Sequence, residues 1–160
     1  MRITGICFAA CLAVLVASTA GAEETSDLSY QRFAEDQGPD HPLYCMYGYF
    51  ASKTGDHETA HRIFKRCIEG ARNPAAMIYL SHFYEEGIGT EPDKAKAREL
   101  ILQAAEQGYS VAQYLLGSEL LEEAENEDDR RQALVWLKRA AEQGDEDARA
   151  LLDSEGEVGG

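Results

Sequence analysis

The apolar positions of this chain fall into short blocks of helical period divided by polar turns. From Leu43 to Ala51 nearly every residue is apolar, broken only by Gly48. That pattern predicts a helix buried on more than one side. Lys53-Thr54-Gly55-Asp56 reads as a turn. From His57 to Glu69, Ala60, Ile63, Phe64, Cys67 and Ile68 recur at the spacing of one helix face. Asn73 and Pro74 then supply an N-cap and a first helical residue. The next helix carries Ala76, Ile78, Leu80, Phe83 and Tyr84, and Gly87-Ile88-Gly89 ends it. Thr90-Glu91-Pro92-Asp93 has a capping-box pattern and opens a helix with Ala97, Leu100, Ile101, Ala104 and Ala105 on its apolar side. Ser110 with Gln113 reads as another capping box. Asn126 with three acidic residues after it reads as a cap favoured by the helix dipole. Ala133, Leu134, Trp136, Leu137, Ala140 and Ala141 form the following face. Asp145-Glu146-Asp147 opens a short last helix, Ala148 to Leu152, and residues 154–160 read as a disordered polar tail.

Two blocks are copies. Ala104-Ala105-Glu106-Gln107-Gly108 returns unchanged as Ala140-Ala141-Glu142-Gln143-Gly144, 36 residues later. Such a period marks a repeat architecture. The same register takes Ala76, Leu80 and Ser81 to Ala112, Leu116 and Gly117, and Leu100 to Trp136. The units span 40–71, 73–108 and 109–144, with a partial copy at 145–153. Each is a helix hairpin that cannot bury its apolar face alone, so neighbours must stack. Paired alanines allow close helix approach, with Leu100 and Trp136 filling the groove beside them. Residues 23–39 are expected to cap the open end through Tyr30 and Phe33, closed by the breaker Gly38-Pro39.

At this point the chain resembles the Sel-one-like repeats, relatives of the tetratricopeptide repeat. The residues that carry the likeness are Ala112 to Gly117, Ala76 to Leu80 with Tyr84, Glu85, Glu86, Gly87 and Gly89, and the paired pentads. It covers residues 40–153 and is most specific in the second and third units. In the third, Leu120 replaces the usual Tyr, and Glu123 to Asp129 replaces the Gly-rich turn. The resemblance implies an all-α, right-handed α-solenoid of about three αα-hairpins with a short C-terminal capping helix. It also implies a non-catalytic protein-interaction scaffold of a kind often exported in bacteria.

Composition bounds the partners. The 160 residues hold 15 Lys and Arg against 29 Asp and Glu, a net charge of −14. That argues against nucleic acid and anionic membrane surfaces as partners and permits a basic protein. Residues 1–22 read as a signal peptide: Arg2, an apolar run from Ile6 to Ala17, and an Ala-x-Ala site at Ala20 to Ala22. The run is short of the roughly 20 residues a spanning helix needs. The expected product is periplasmic or secreted, without a membrane anchor.

Cys7 and Cys11 leave with the leader, and Cys45 and Cys67 remain. Both lie eleven residues from Asp56, the centre of the turn, so an antiparallel helix pair sets them opposite each other. They align with Tyr114 and Ala140 of the third unit. An exported chain with two such cysteines is expected to form a Cys45–Cys67 disulfide. Other constellations are incomplete. His57 and His61 share a helix face without further ligands, and a solvated face is the expectation. Lys53-Thr54-Gly55 matches one box of penicillin-recognising serine enzymes, but no Ser-x-x-Lys or Ser-Asp-Asn accompanies it. The acidic run Glu122 to Asp129 lacks the alternating ligands of a calcium loop. No cofactor, metal or catalytic residue is expected.

Subtracting the first-helix positions that pack the stack leaves an inner, concave strip. It comprises Met46, Tyr49 and Lys53, then Tyr79, His82 and Glu86, then Leu115, Ser118 and Glu122. Aromatic residues with an interleaved His suit a protein-binding surface. The expected function is an exported scaffold or adaptor. A periplasmic immunity or inhibitor protein against a toxic enzyme is the alternative, and a β-lactam or cell-wall hydrolase lacks its nucleophile.

Overall fold

The computed structural model describes residues 43–158 together with Asp36, Gly38 and His41. The expected leader (1–22) and most of the expected capping segment (23–39), Tyr30 and Phe33 included, lie outside the described residues. Among the described residues there are seven helices: α1 (Tyr44–Thr54), α2 (His57–Glu69), α3 (Pro74–Glu86), α4 (Lys94–Glu106), α5 (Ser110–Glu122), α6 (Glu127–Glu142) and α7 (Glu146–Val158). Each packs on the next in chain order, so α1/α2, α3/α4 and α5/α6 form three stacked hairpins and α7 covers α6. The molecule is an all-α solenoid of helical hairpins.

The repeated pentad has a defined backbone role. Gly108 donates its N–H to Ala105 O (2.9 Å) and Tyr109 to Ala104 O (3.1 Å). The second copy repeats this: Gly144 donates to Ala141 O (3.0 Å) and Asp145 to Ala140 O (3.1 Å). This pair of bonds is the Schellman helix ending, whose turn residue sits in the left-handed region. Gly108 and Gly144 occupy it with φ of 86° and 95°, where a side chain would be strained. The glutamine of each pentad then reaches back to the first helix of its own hairpin. Gln107 Nε2 donates to Met77 Sδ (3.4 Å) and Gln143 Nε2 to Gln113 Oε1 (2.7 Å), positions one repeat apart.

The core runs along the stack. Tyr44, Ile63, Phe64, Cys67, Met77, Leu80 and Phe83 carry it in the first two hairpins, and Leu137, Ala140 and Ala148 in the last. Within hairpins the helices approach through residues with little or no side chain. A Cβ on Gly48 would lie 2.7 Å from Phe64 Cε1, and one on Gly117 would lie 2.8 Å from Leu137 Cγ. Ser81 is buried at the equivalent place in the second hairpin and donates its hydroxyl to Ile78 O at 2.8 Å.

Asn73 and Asn126 cap their helices as expected, accepting from Ala76 N (3.0 Å) and from Asp128 N and Asp129 N. Several other expectations are corrected. The cap of α4 is Asp93, accepting from Lys96 N at 3.0 Å, so the chain turns further past Thr90 before the helix begins. No capping box forms at Ser110: Tyr109 is the N-cap without a side-chain bond, and Gln113 is buried, donating to Ala105 O at 3.2 Å. Its amide is spent across the seam between hairpins. Helix α1 buries Tyr44, Gly48 and Ala51, while Met46 and Phe50 stay 42% and 40% exposed. The last helix continues to Val158, past the Ser154 where a disordered tail was expected. Arg130 holds that extra turn, pairing with the Glu155 carboxylate at 2.6 Å and donating to Glu155 O at 3.3 Å.

Candidate protein-interaction surface

The first hairpin sets one end of the strip. Cys45 on α1 and Cys67 on α2 are joined by a disulfide with their Cα atoms 5.9 Å apart, as the turn geometry required. Beside the bridge, Met46 and Tyr49 of α1 face Ala75 and Tyr79 of α3 across a cleft of about 170 Å³. Tyr79 stacks flat on Phe64 (centroids 5.0 Å apart, 9° between planes) and leans on Tyr49 (5.7 Å). It nevertheless keeps 38% of its surface exposed. Burial of part of the ring holds its hydroxyl above the ordinary 10.0, and the neighbouring Tyr49 and Tyr109 push the same way. Lys53 places its ammonium 5.4 Å from the Tyr49 ring centroid.

The middle of the strip lies on α3. Tyr79, His82 and Glu86 follow one another at three- and four-residue spacing, all exposed. Glu85 leans to the other side, toward α5. There a second groove, about 390 Å³, lies between α3 and α5 with α4 at its base. Leu115, Glu119 and Glu122 of α5 line it with Glu85, and Lys94, Arg98 and Ile101 come from α4. Leu115 is half-buried there, so it serves both stack and groove. Ser118 is half-buried, and its Oγ is enclosed with no hydrogen-bond partner among the described residues.

This groove is acidic. Arg98 donates to both carboxylate oxygens of Glu123 (3.0 and 2.8 Å) and sits 3.4 Å from Glu119. Burial raises the Glu119 carboxyl above the ordinary carboxylate range. Arg98 opposes that, while Glu123, Glu85 and Glu122 add to it. Four carboxylates therefore share one field around a single guanidinium. The sequence reading missed Glu85, Glu119 and Arg98, because it followed one face of the first helices and Arg98 enters from the second helix of its hairpin.

The remaining candidates take structural places. Against the solvated face expected of them, His57 and His61 are half-buried. Their rings meet Phe83 (5.8 Å) and Tyr84 (5.7 Å) of α3 edge-on, filling the seam between the first two hairpins. Lys53-Thr54-Gly55 is a helix end: Thr54 Oγ1 donates to Ala51 O at 3.0 Å, and Gly55 N–H to Ser52 O. Among the described residues no group of three or more His, Cys, Asp or Glu could hold a metal ion. No helix among them is long and apolar enough to cross a membrane.

Stacked helix hairpins presenting a partly exposed strip along their first helices define a repeat protein of the solenoid class. A family model described as the Sel1 repeat matches residues 74–109 and 110–145, the two units that share the pentad. The chain carries two Sel1 repeats, and Sel1 repeat proteins generally act as protein-interaction scaffolds. No curated protein matches it. Among solved structures, it is similar to a Sel1 repeat protein from Oxalobacter formigenes at 29% identity and a TM-score of 0.61, covering 78% of this chain and 51% of that one. It is also similar to a protective antigen present in uropathogenic Escherichia coli strains that displays an SLR fold. There the identity is 27% and the TM-score 0.60, covering 74% of this chain and 26% of the antigen. The chain thus spans about a quarter to a half of the length of these relatives.

Proposed function

We propose that this chain is an exported scaffold that holds a protein partner through the row formed by α1, α3 and α5. The observation that carries the reading is the cleft in which Met46, Tyr49 and Tyr79 gather between the first two hairpins. Aromatic side chains fixed in place by the core and still partly exposed are the usual anchors of an interface. Lys53, His82, Glu86, Leu115, Ser118 and Glu122 extend the surface along the row. Export rests on the leader-like residues 1–22 and on the Cys45–Cys67 bridge, a feature of oxidising compartments. The test is capture of partners from envelope extract by the intact protein and by a Tyr79→Ala/His82→Ala variant. Loss of a specific partner in the variant supports the strip, and undiminished capture sinks it.

A second reading has its own observation. The net charge of −14 and the acidic groove suit a protein that blocks a basic enzyme mouth, as an immunity or inhibitor protein does. A gene for a secreted toxin next to this one, and inhibition of that toxin at equimolar ratio, would favour it over the adaptor.

A further inference from the structure

Two grooves follow one another along the first helices, and their chemistry differs. The first, between α1 and α3, is aromatic and apolar, lined by Met46, Tyr49 and Tyr79. The second, between α3 and α5, carries Glu85, Glu119, Glu122 and Glu123 against Lys94 and Arg98. Arg98 is already engaged by Glu119 and Glu123. Glu85 and Glu122 make no ion pair among the described residues, and both are exposed. Helix α3 joins the two grooves: Tyr79 belongs to the first, Glu85 to the second, and the exposed Glu86 lies between. The cations near the surface do not balance this. Lys53 is placed over Tyr49 at the far side of the first groove, and Lys94 alone adds to Arg98 in the second.

We infer that the segment seated on this surface is a basic peptide stretch with one apolar or aromatic anchor. The anchor enters the Tyr49–Tyr79 cleft, and lysine or arginine side chains beside it lie across α3 to reach Glu86, Glu85 and Glu122. This rests on the reading of the first-helix row as the binding surface and adds the chemistry of what binds. The apolar cleft supplies the desolvated anchor point. The carboxylates supply orientation and rejection of acidic segments, since like charges brought together across an interface are strongly unfavourable.

The experiment uses the full chain and two fluorescein-labelled synthetic decapeptides: one with a central Phe flanked by lysines, the other with every lysine replaced by glutamate. Anisotropy titrations are run at 50 and 300 mM salt on the wild type, on Tyr79→Ala and on Glu85→Gln/Glu122→Gln. The last pair of substitutions is isosteric and at exposed positions, so it leaves the fold intact. The lysine peptide is expected to bind and to weaken at high salt as surface charges are screened. The glutamine variant should lose about 2- to 30-fold in affinity, the range two exposed ion pairs give. Tyr79→Ala should also weaken binding, with melting curves confirming that it is folded. If both peptides bind with Tyr79 dependence and no glutamate dependence, the row is a binding surface and the basic-partner inference is wrong. If binding is indifferent to Tyr79 as well, or if the lysine peptide does not bind, the inference falls, and in the former case the row as binding surface falls with it.

Discussion

At the scale of single residues, the stack depends on what is missing. Gly117 brings α5 against α6 so closely that an added Cβ would stand 2.9 Å from Leu137 Cδ2 and 3.1 Å from its backbone nitrogen. The side chain can turn aside, but the backbone cannot. Gly117→Ala should therefore destabilise by about 1–3 kcal/mol, the usual cost of overpacking a tight core. Urea unfolding followed by circular dichroism measures it, and an unchanged midpoint would mean that the hairpin is looser than described. The pentads were legible as sequence because each hairpin sets the same demands at the same places: two alanines for close contact, a glutamine reaching the first helix, and a glycine for a left-handed turn. Gln113 was misread for the opposite reason. Its spacing from Ser110 satisfies a local capping rule, yet its amide bonds Ala105 O across the seam, a long-range choice that local spacing does not encode.

At the scale of elements, the first hairpin is the one held by covalent chemistry. It has a hairpin neighbour on one side only among the described residues, and the Cys45–Cys67 bridge closes a loop of sequence separation 22. Reduction, or Cys67→Ser, should cost about 3 kcal/mol in the chain-entropy account. A thermal melt with and without reductant reads the difference, and coincident curves would show that the bridge adds nothing. The seam between α2 and α3 adds a pH dependence. Burial, with Lys65 and Lys96 nearby, holds His61 below its ordinary 6.5. The unfolded chain therefore binds the proton first, and stability falls as pH drops through 6.5 and below. His61→Gln should flatten the stability profile between pH 7.5 and 5.5, and an equally steep loss in the variant would place the effect elsewhere. The i,i+4 spacing of His57 and His61 was plain in the sequence. Their half-burial was not, because it follows from the neighbouring helix Pro74–Glu86 laying Phe83 and Tyr84 against them.

At the scale of the molecule, hairpin order, helix periods and the 36-residue register were legible because each unit repeats the same packing problem. The proposed surface was legible only in outline. Met46, Tyr49 and Tyr79 could be found by removing core positions, but the acidic groove combines three helices, and only the fold brings Glu85, Arg98 and Glu119 together. The molecule has two long sides with different character. The second helices expose apolar residues too: Leu102 of α4 and Trp136 of α6 line a groove with Leu120 of α5, and Val135 of α6 is 47% exposed. The central claim is that the partner sits on the first helices. Site-specific photocrosslinking tests it most directly, with benzoylphenylalanine placed at Tyr79 in one strain and at Val135 in another. Discrete protein adducts from position 79 and none from position 135 are the predicted result, whereas adducts from position 135 alone would put the partner on the opposite side of the solenoid.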